Sequence, residues 1–246
     1  EFEGNGIQII LTENQTTEIY AYVEDLLAQK SNCTHLTSYT HLDTVITNPV
    51  FTASVPISPN NTSSTPLIQG LTSDDAIQIT IYNDASCSNA LITGTPETFE
   101  SPGLQVILNN NSTTNLYAKS IDDNNNPSAC SFLTTYVHDT LPPEPPTYVS
   151  INPISPNNSI LNPKLKGTAS ADTLTVKFYV SPLCLTQIGA GTKAAFEGVG
   201  IPVGVDENTT TQIYAQNYDP SGNASTCTYM TQYKHNTIPP DFPIYS

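Results

Sequence analysis

The sequence is poor in tryptophan, methionine and basic residues. Its 246 residues include no tryptophan, one methionine and seven lysines and arginines together, against 22 acidic residues, so the formal net charge is −15. Such an excess of negative charge excludes a nucleic-acid backbone as the natural partner. No signal peptide is visible and no apolar run approaches the length of a membrane span, so the sequence predicts no membrane insertion for this segment.

Sequence motifs for catalysis and for metal binding are also missing. There is no Gly-x-Ser-x-Gly elbow, no His-Glu-x-x-His and no phosphate-binding glycine loop. Zinc is disfavoured because no Cys-x-x-Cys occurs and no histidine stands at ligand spacing from a cysteine pair. We therefore expect no catalytic residues, no cofactor and no metal site.

Proline, asparagine, threonine and serine are abundant, whereas charged residues make up only 12% of the chain. Together with five cysteines, this composition is typical of a β-protein from an oxidising compartment. The predicted location is therefore extracellular or at a cell surface.

The main positive signal is an internal repeat with an interval of 97 residues (99 minus 2, and 196 minus 99). The residues that keep this interval are Phe2, Phe99 and Phe196; Tyr20, Tyr117 and Tyr214; Cys33, Cys130 and Cys227; and Cys87 with Cys184. A fixed period of this length predicts a string of like domains. Such an array supplies length and multiple contacts more readily than it supplies one catalytic site.

The repeat divides the chain into two full copies, at 49–145 and 146–243. Residues 1–48 match only the second half of the full copies, and residues 244–246 match the start of a further one. We therefore expect the chain to be a segment of a longer array, with the first half of the partial copy missing or supplied by another chain.

The cysteine spacing predicts one disulfide inside each full copy. Cys87 and Cys130 are 43 residues apart, and so are Cys184 and Cys227. Cys33 occupies the same slot as Cys130 and Cys227, so we expect its partner to lie outside the segment. The alternative is a free thiol that serves intermolecular bonding or chemistry.

Short segments of alternating hydrophobicity predict β-strands in each copy. Ile77, Ile79 and Ile81 alternate with polar or aromatic residues, and a second alternating run begins at Leu104. A period of two indicates half-buried strands, and no segment keeps a sustained helical period. A copy of this size, built from about seven short strands, predicts an all-β, two-sheet antiparallel sandwich that buries its own core.

Proline-rich linkers follow both full copies, at 139–146 (DTLPPEPP) and at 236–243 (NTIPPDFP). Because proline fixes φ and disfavours helix in the residue before it, we expect extended, semi-rigid spacers. The first junction, at 42–49, keeps only its last proline, so we expect more bending there.

Two motifs stand near the end of the last copy: Tyr-Ala followed by Asp-Pro-Ser-Gly-Asn (214–215 and 219–223), and Tyr-x-His-Asn-Thr-Ile-Pro-Pro (233–240). The middle copy has looser forms of both. In these motifs the chain resembles the tandem immunoglobulin-like repeats of large bacterial surface adhesins and extracellular fibres. The resemblance implies immunoglobulin-like sandwiches that form a stalk or fibre shaft, although paired cysteines are not general in such repeats.

Other recurring residues have a functional and a structural interpretation. Asp122–Asn126 has the Asp-x-Asn-x-Asn spacing of a calcium loop but lacks the glycine at the sixth position and the distal glutamate, which favours a side-chain-capped turn. One histidine stands at the end of the final strand of each copy, and we expect these three side chains to form hydrogen bonds. The Asn-x-Thr triplets are assigned to turns rather than to glycosylation. These residues are His41, His138 and His235, and Asn14, Asn111 and Asn208.

Tyr20, Tyr117 and Tyr214 are predicted to point outward, because Leu116 and Ala118 form the inward set of that strand. Ordinary strand filling is the favoured interpretation of these tyrosines. The alternative is an interaction ladder, with one aromatic contact per copy, for a neighbouring chain or a glycan.

The sequence thus favours a shaft segment of a bacterial extracellular fibre or surface adhesin, built of rigid beads. The alternative is a subunit of a self-assembled filament, a homo-oligomer in which strands from another molecule complete residues 1–48. A glycan-binding module ranks third, because it needs an aromatic platform and the chain offers no tryptophan and only scattered tyrosines. The expected partners are neighbouring copies of the same protein, or a host or prey surface.

Overall fold

The structure is a computed structural model that describes residues 4, 6–12, 15–41 and 46–241. Within these ranges the backbone forms sixteen β-strands and two helices of five residues each. Every pairing between these strands is antiparallel. The all-β prediction is therefore confirmed. No helix in the described part of the chain has the length and hydrophobicity needed to cross a membrane.

The partial first copy contributes a single hairpin. Its strands are β1 (Gln15–Ala21) and β2 (Thr34–His41), which form a two-stranded sheet. Phe2, Asn14 and residues 244–246, which the sequence analysis singled out, lie outside the described residues.

The middle copy contains two sheets. Its elements are β3 (Val50–Val55), β4 (Leu67–Leu71), β5 (Ala76–Tyr82), β6 (Ala90–Gly94), α1 (Pro96–Glu100), β7 (Leu104–Gln105), β8 (Ser112–Asp122) and β9 (Ser131–His138). The strand order is β3-β4-β7 in the three-stranded sheet and β6-β5-β8-β9 in the four-stranded sheet.

The last copy repeats this arrangement element by element. Its elements are β10 (Thr147–Asn152), β11 (Lys164–Thr168), β12 (Thr175–Tyr179), β13 (Gln187–Thr192), α2 (Lys193–Glu197), β14 (Ile201–Pro202), β15 (Thr210–Tyr218) and β16 (Thr228–Lys234). The strand orders are β10-β11-β14 and β13-β12-β15-β16, the same topology as in the middle copy. The prediction of tandem sandwiches with a 97-residue period is confirmed.

Each full copy has its own core between its two sheets. The buried cluster of the middle copy includes Ile68, Ile79 and Leu116, and that of the last copy includes Leu165, Val176 and Ile213. All six of these side chains are fully buried. Each cluster contains residues of one copy only, so each copy has its own core, and burying one such side chain is worth about 1.5–3 kcal/mol.

The predicted disulfides are present in both full copies. Cys87 bonds to Cys130 and Cys184 bonds to Cys227, each across 43 residues and with 5.9 Å between the Cα atoms. Each bond ties the loop after β5 or β12 to the segment before the final strand, β9 or β16. Cys33 is an exposed free thiol.

One predicted strand pattern is wrong at its first position. Ile79 and Ile81 are buried as expected, but the side chain of Ile77 is 53% exposed. The register between β5 and β8 shifts between Ala76 and Gln78, and this irregularity turns Ala76 into the core in place of Ile77. The alternation therefore holds only beyond the bulge.

The two helices were not expected, and they explain the repeated phenylalanine. Phe99 in α1 and Phe196 in α2 are fully buried, and the residue before each helix, Thr95 or Thr192, is an N-cap whose side chain accepts a backbone hydrogen bond. A Cβ atom on Gly167 would collide with the ring of Phe196, so the glycine keeps space for the ring. Five residues are too few to show a helical period.

Candidate functional site

The turn after β8 begins with Asp122, a 2% exposed carboxylate. One of its oxygens accepts hydrogen bonds from the backbone N–H groups of Asn124 (3.0 Å) and Asn126 (2.8 Å). The other accepts from the Asn126 side-chain amide at 3.0 Å. This is the side-chain-capped turn that the sequence favoured over a calcium loop, because the carboxylate faces N–H donors rather than the oxygens of a cation shell. Among the residues that the structure describes, no group of three or more His, Cys, Asp or Glu is placed to hold a metal ion.

These hydrogen bonds also set the acidity of Asp122. Burial raises the pKa of this carboxyl, but the bonds from Asn126 and Asn124 outweigh burial, so the pKa lies below its usual range. The turn therefore holds the carboxylate in its charged form.

We expect Asp122 to make the stability of the middle copy pH-dependent. Its folded-state pKa lies below the unfolded value of about 3.9, so the stabilisation is complete above that pH and is lost as the pH falls through the folded-state pKa. Urea unfolding at a series of acidic pH values should show a shallower acid loss for Asp122→Asn than for the wild type. Asp123→Asn, the same charge change on an exposed neighbour, should keep the wild-type slope; equal slopes for all three proteins would contradict the role of Asp122.

The equivalent turn in the last copy reaches back to the linker before it. The side-chain amide of Asn223 donates to Asp219 Oδ2 at 2.8 Å and to the backbone carbonyl of Asp139 at 2.7 Å. Its carbonyl oxygen accepts a hydrogen bond from the amide of Asn61, in the middle copy, at 3.0 Å. Asn223 is 8% exposed, and it joins its own turn through a buried contact and the linker and the preceding copy through partly buried contacts.

A second side chain holds the far end of the same linker. Asn217, fully buried on β15, donates from its side-chain amide to the backbone carbonyl of Glu144 at 2.8 Å. At the first junction the equivalent residue is Ser120, whose hydroxyl lies 3.5 Å from the carbonyl of Thr47. The shorter side chain makes the longer contact, which gives a physical reason for the expectation of more bending at residues 42–49. Residues 42–45 of that junction lie outside the described part of the chain.

The linker is also fixed to the copy that it leaves. Asn111 accepts hydrogen bonds through its side-chain oxygen from the backbone (2.7 Å) and the hydroxyl (2.9 Å) of Thr140, and its own N–H donates to Nδ1 of the buried His138 at 3.2 Å. Asn208, Thr237 and His235 repeat these three contacts in the last copy. His138 and His235 thus act as the predicted strand-end hydrogen bonders, and two of the Asn-x-Thr asparagines hold the start of a linker.

Tyr20, Tyr117 and Tyr214, for which an interaction ladder was the alternative interpretation, lie on the outer face of the sheet. Tyr117 and Tyr214 are half-buried beside fully buried inward neighbours, and Tyr20 is 56% exposed. Each contacts a second ring on the next strand in an edge-to-face arrangement. The pairs and their centroid distances are Tyr20 with His35 (5.1 Å), Tyr117 with Phe132 (5.6 Å) and Tyr214 with Tyr229 (5.5 Å).

Sequence reasoning missed the second ring of each pair. His35, Phe132 and Tyr229 keep the 97-residue interval, but the residue type changes from copy to copy, so a search for identical residues passes over them. It also missed Asn217 and Asn61, whose roles depend on the relative placement of two copies. These positions become visible when equivalent residues of the three copies are compared by the presence of an aromatic ring rather than by identity.

The fold and its junction define a class of protein: a tandem array of immunoglobulin-like β-sandwiches, each with one disulfide, joined through hydrogen-bonded linkers. No protein-family model and no curated protein matches the sequence. Similar solved structures include the fibronectin(III)-like modules of CbhA from Clostridium thermocellum (15% identity, TM-score 0.45, covering 77% of this chain and 97% of that one).

Two further similar structures are the D00-D0 domain of intimin and the BSP domain of a biofilm-associated protein. The intimin domain has 13% identity and a TM-score of 0.32, with 74% of this chain and 99% of that one covered. The BSP domain has 11% identity and a TM-score of 0.26, with 79% and 30% covered. Similarities at this level show no function for this chain.

Proposed function

We propose that this chain is a shaft segment of a bacterial extracellular fibre or surface adhesin. In this role the immunoglobulin-like repeats are rigid spacers, the chain is not an enzyme, and its location is extracellular or at a cell surface. Its partners are neighbouring copies of the same protein, or a host or prey surface. The repeat motifs that resemble those of surface adhesins support the proposal, as does one disulfide in each full copy.

The observation that carries the proposal is the double attachment of the linker at 139–146. Asn111 fixes the start of the linker to the middle copy, while Asn223 and Asn217 of the last copy bind the carbonyls of Asp139 and Glu144. A hinge leaves its backbone groups to water, whereas this linker shares them with both neighbours. Resistance to bending between beads is the property that a shaft requires.

Distance measurements between the two full copies test this rigidity. Spin labels on cysteines introduced at the exposed, equivalent positions Asp75 and Asp172, in a Cys33→Ser background, should give a narrow distance distribution by pulsed electron paramagnetic resonance. Removing both cross-linking amides with Asn217→Ala and Asn223→Ala should broaden it clearly, because each lost hydrogen bond contributes about 1 kcal/mol.

Asn158→Ala provides the matched control for the same experiment. Asn158 is an exposed asparagine of the last copy outside the linker contacts, so its replacement should leave the distribution narrow. A wild-type distribution as broad as that of the double variant would show that the linker bends freely, and the shaft proposal would then fail.

The hairpin β1–β2 favours a second candidate, the self-assembled filament. Leu36 and Tyr39 are 44% and 51% exposed, whereas the equivalent Leu133 and Tyr136 are 7% and 1% exposed. A two-stranded hairpin with an uncovered apolar face is marginally stable at best. Strands supplied by another molecule would bury this face in the way that β5 and the facing sheet do in the middle copy.

Sedimentation velocity over a range of protein concentrations separates the two candidates. A filament subunit should sediment faster as its concentration rises, and the double variant Leu36→Ser/Tyr39→Ser should remain a monomer. Ile57→Ser, which removes an 80% exposed isoleucine from the middle copy, should associate like the wild type. A wild type that stays monomeric at all concentrations excludes strand donation between molecules of this chain.

A further inference from the structure

The outer aromatic pairs depend on a β-bulge that recurs in all three copies. The register shifts between Ile19 and Tyr20, between Leu116 and Tyr117, and between Ile213 and Tyr214. In each case the partner strand carries one extra residue at that point. The extra residues are Leu36, Leu133 and Met230.

The bulge decides which way the second ring points. Thr134 pairs with the buried Leu116, so strict alternation along β9 would turn Phe132 toward the core as well. The extra residue Leu133 takes the core position at 7% exposure, and Phe132 pairs with Tyr117 on the outside, where it is 56% exposed. A large ring is thus moved into solvent by a feature of the backbone, and bulges commonly re-aim side chains at functional positions.

In the middle copy the rings form a row across three strands. Tyr82 on β5 pairs directly with Tyr117 on β8, which pairs with Phe132 on β9. Directly opposite residues of an antiparallel pair share a face, so the three rings lie side by side on the outside of the sheet. From the sequence we expected only scattered tyrosines, whereas the fold places these three rings together as an aromatic platform.

Hydrogen-bonding groups lie beside the exposed rings in both full copies, and Lys119 on β8 and Lys177 on β12 also face outward on the same sheets. Asn115 accepts a hydrogen bond from the hydroxyl of Thr135 at 2.8 Å beside the middle pair. In the last copy the hydroxyl of Tyr214 donates to the side-chain oxygen of Gln212 at 2.9 Å. In the hairpin, by contrast, the carboxylate of Glu18 lies 2.6 Å from His35. In the full copies, by comparison, the side-chain hydrogen bonds described beside the rings join amides and hydroxyls.

We propose that the outer pairs Tyr117–Phe132 and Tyr214–Tyr229 bind a neutral polysaccharide, one contact site in each full copy. A pyranose ring has an apolar C–H face and a rim of hydroxyl groups, which matches an exposed aromatic ring bordered by amides and hydroxyls. The net charge of −15 opposes both an acidic polymer and lateral packing of a second copy of this chain. This binding activity goes beyond the proposed shaft role, and neither proposal depends on the other.

Affinity gel electrophoresis with mannan, laminarin, galactomannan or the anionic alginate in the gel tests the proposal. We expect at least one neutral polysaccharide to retard the wild type, and alginate not to do so. Phe132→Thr or Tyr229→Thr alone should weaken retardation in part, and the double variant should weaken it by about tenfold or more, since one long polymer can engage both copies.

Two controls separate loss of a ring from loss of the fold. Phe132→Tyr with Tyr229→Phe keeps both rings and should bind like the wild type, and Tyr148→Thr removes a 39% exposed ring from the other sheet and should also bind normally. Several results would overturn the proposal: no neutral polysaccharide retards the chain, alginate alone does so, or the double threonine variant binds like the wild type. Self-association that the double variant abolishes would overturn it too, because the pairs would then contact a second copy.

Discussion

Replacing Cys184 and Cys227 together by alanine is expected to lower the free energy of unfolding of the last copy by about 4 kcal/mol, the chain-entropy value for closing a loop of this size. The bond ties the loop after β12 to the segment before β16, so its loss frees both segments in the unfolded chain. The middle copy should keep its stability because it has its own core and its own disulfide. Calorimetry should therefore show one transition displaced to lower temperature and one unchanged.

Cys33→Ser is the control for this prediction. Cys33 is exposed and forms no disulfide, so this substitution should leave both transitions in place. A double variant in which both transitions move equally would show that the two copies unfold as one unit, contrary to their separate cores. A double variant as stable as the wild type would contradict the stabilising role of the bond.

Phe196→Ala is expected to destabilise the last copy by about 3–5 kcal/mol, the usual cost of removing a fully buried phenylalanine. The ring packs edge-to-face against Phe178 at 5.6 Å and lies over Gly167, so alanine would leave a cavity that neighbouring residues cannot close without moving the backbone. Urea unfolding of the variant and the wild type measures the difference.

Phe132→Ala removes the same side chain from an exposed position and serves as the comparison. Phe132 is 56% exposed and loses mainly its edge contact with Tyr117, so we expect a cost of about 0.5–1.5 kcal/mol. Similar losses for the two variants would mean that Phe196 is not part of the core. This pair of measurements therefore also tests the assignment of Phe132 to the outer face.

The repeat, the strands and the disulfides could be predicted because each has a local or periodic signature. Alternating residues such as Ile79 and Ile81 report directly on burial, and the equal spacing of the paired cysteines reports on connectivity. The error at Ile77 came from a bulge, which shifts one strand against another without leaving a mark in either strand's own sequence.

The candidate sites were harder to predict for a related reason. Asn217 and Asn223 act on a linker more than 70 residues earlier in the chain, and nothing near them in the sequence announces those partners. Asp122–Asn126 was predicted to be a turn, but nothing in the sequence indicated that Asn223, the equivalent of Asn126 in the last copy, also bonds to the linker. Likewise Tyr117 was placed on the correct face, whereas its partner Phe132 faces outward only because Leu133 is the extra residue of a bulge.

The chemistry of the joint has a consequence for the environments in which such an array keeps its shape. The described contacts from the last copy to the linker or the middle copy join amide groups to backbone carbonyls or to another amide, and both described ion pairs lie in the first hairpin. Dissolved ions screen attraction between charges but barely affect bonds between uncharged groups. An array joined in this way would keep the same angle between its copies in fresh water and in brine.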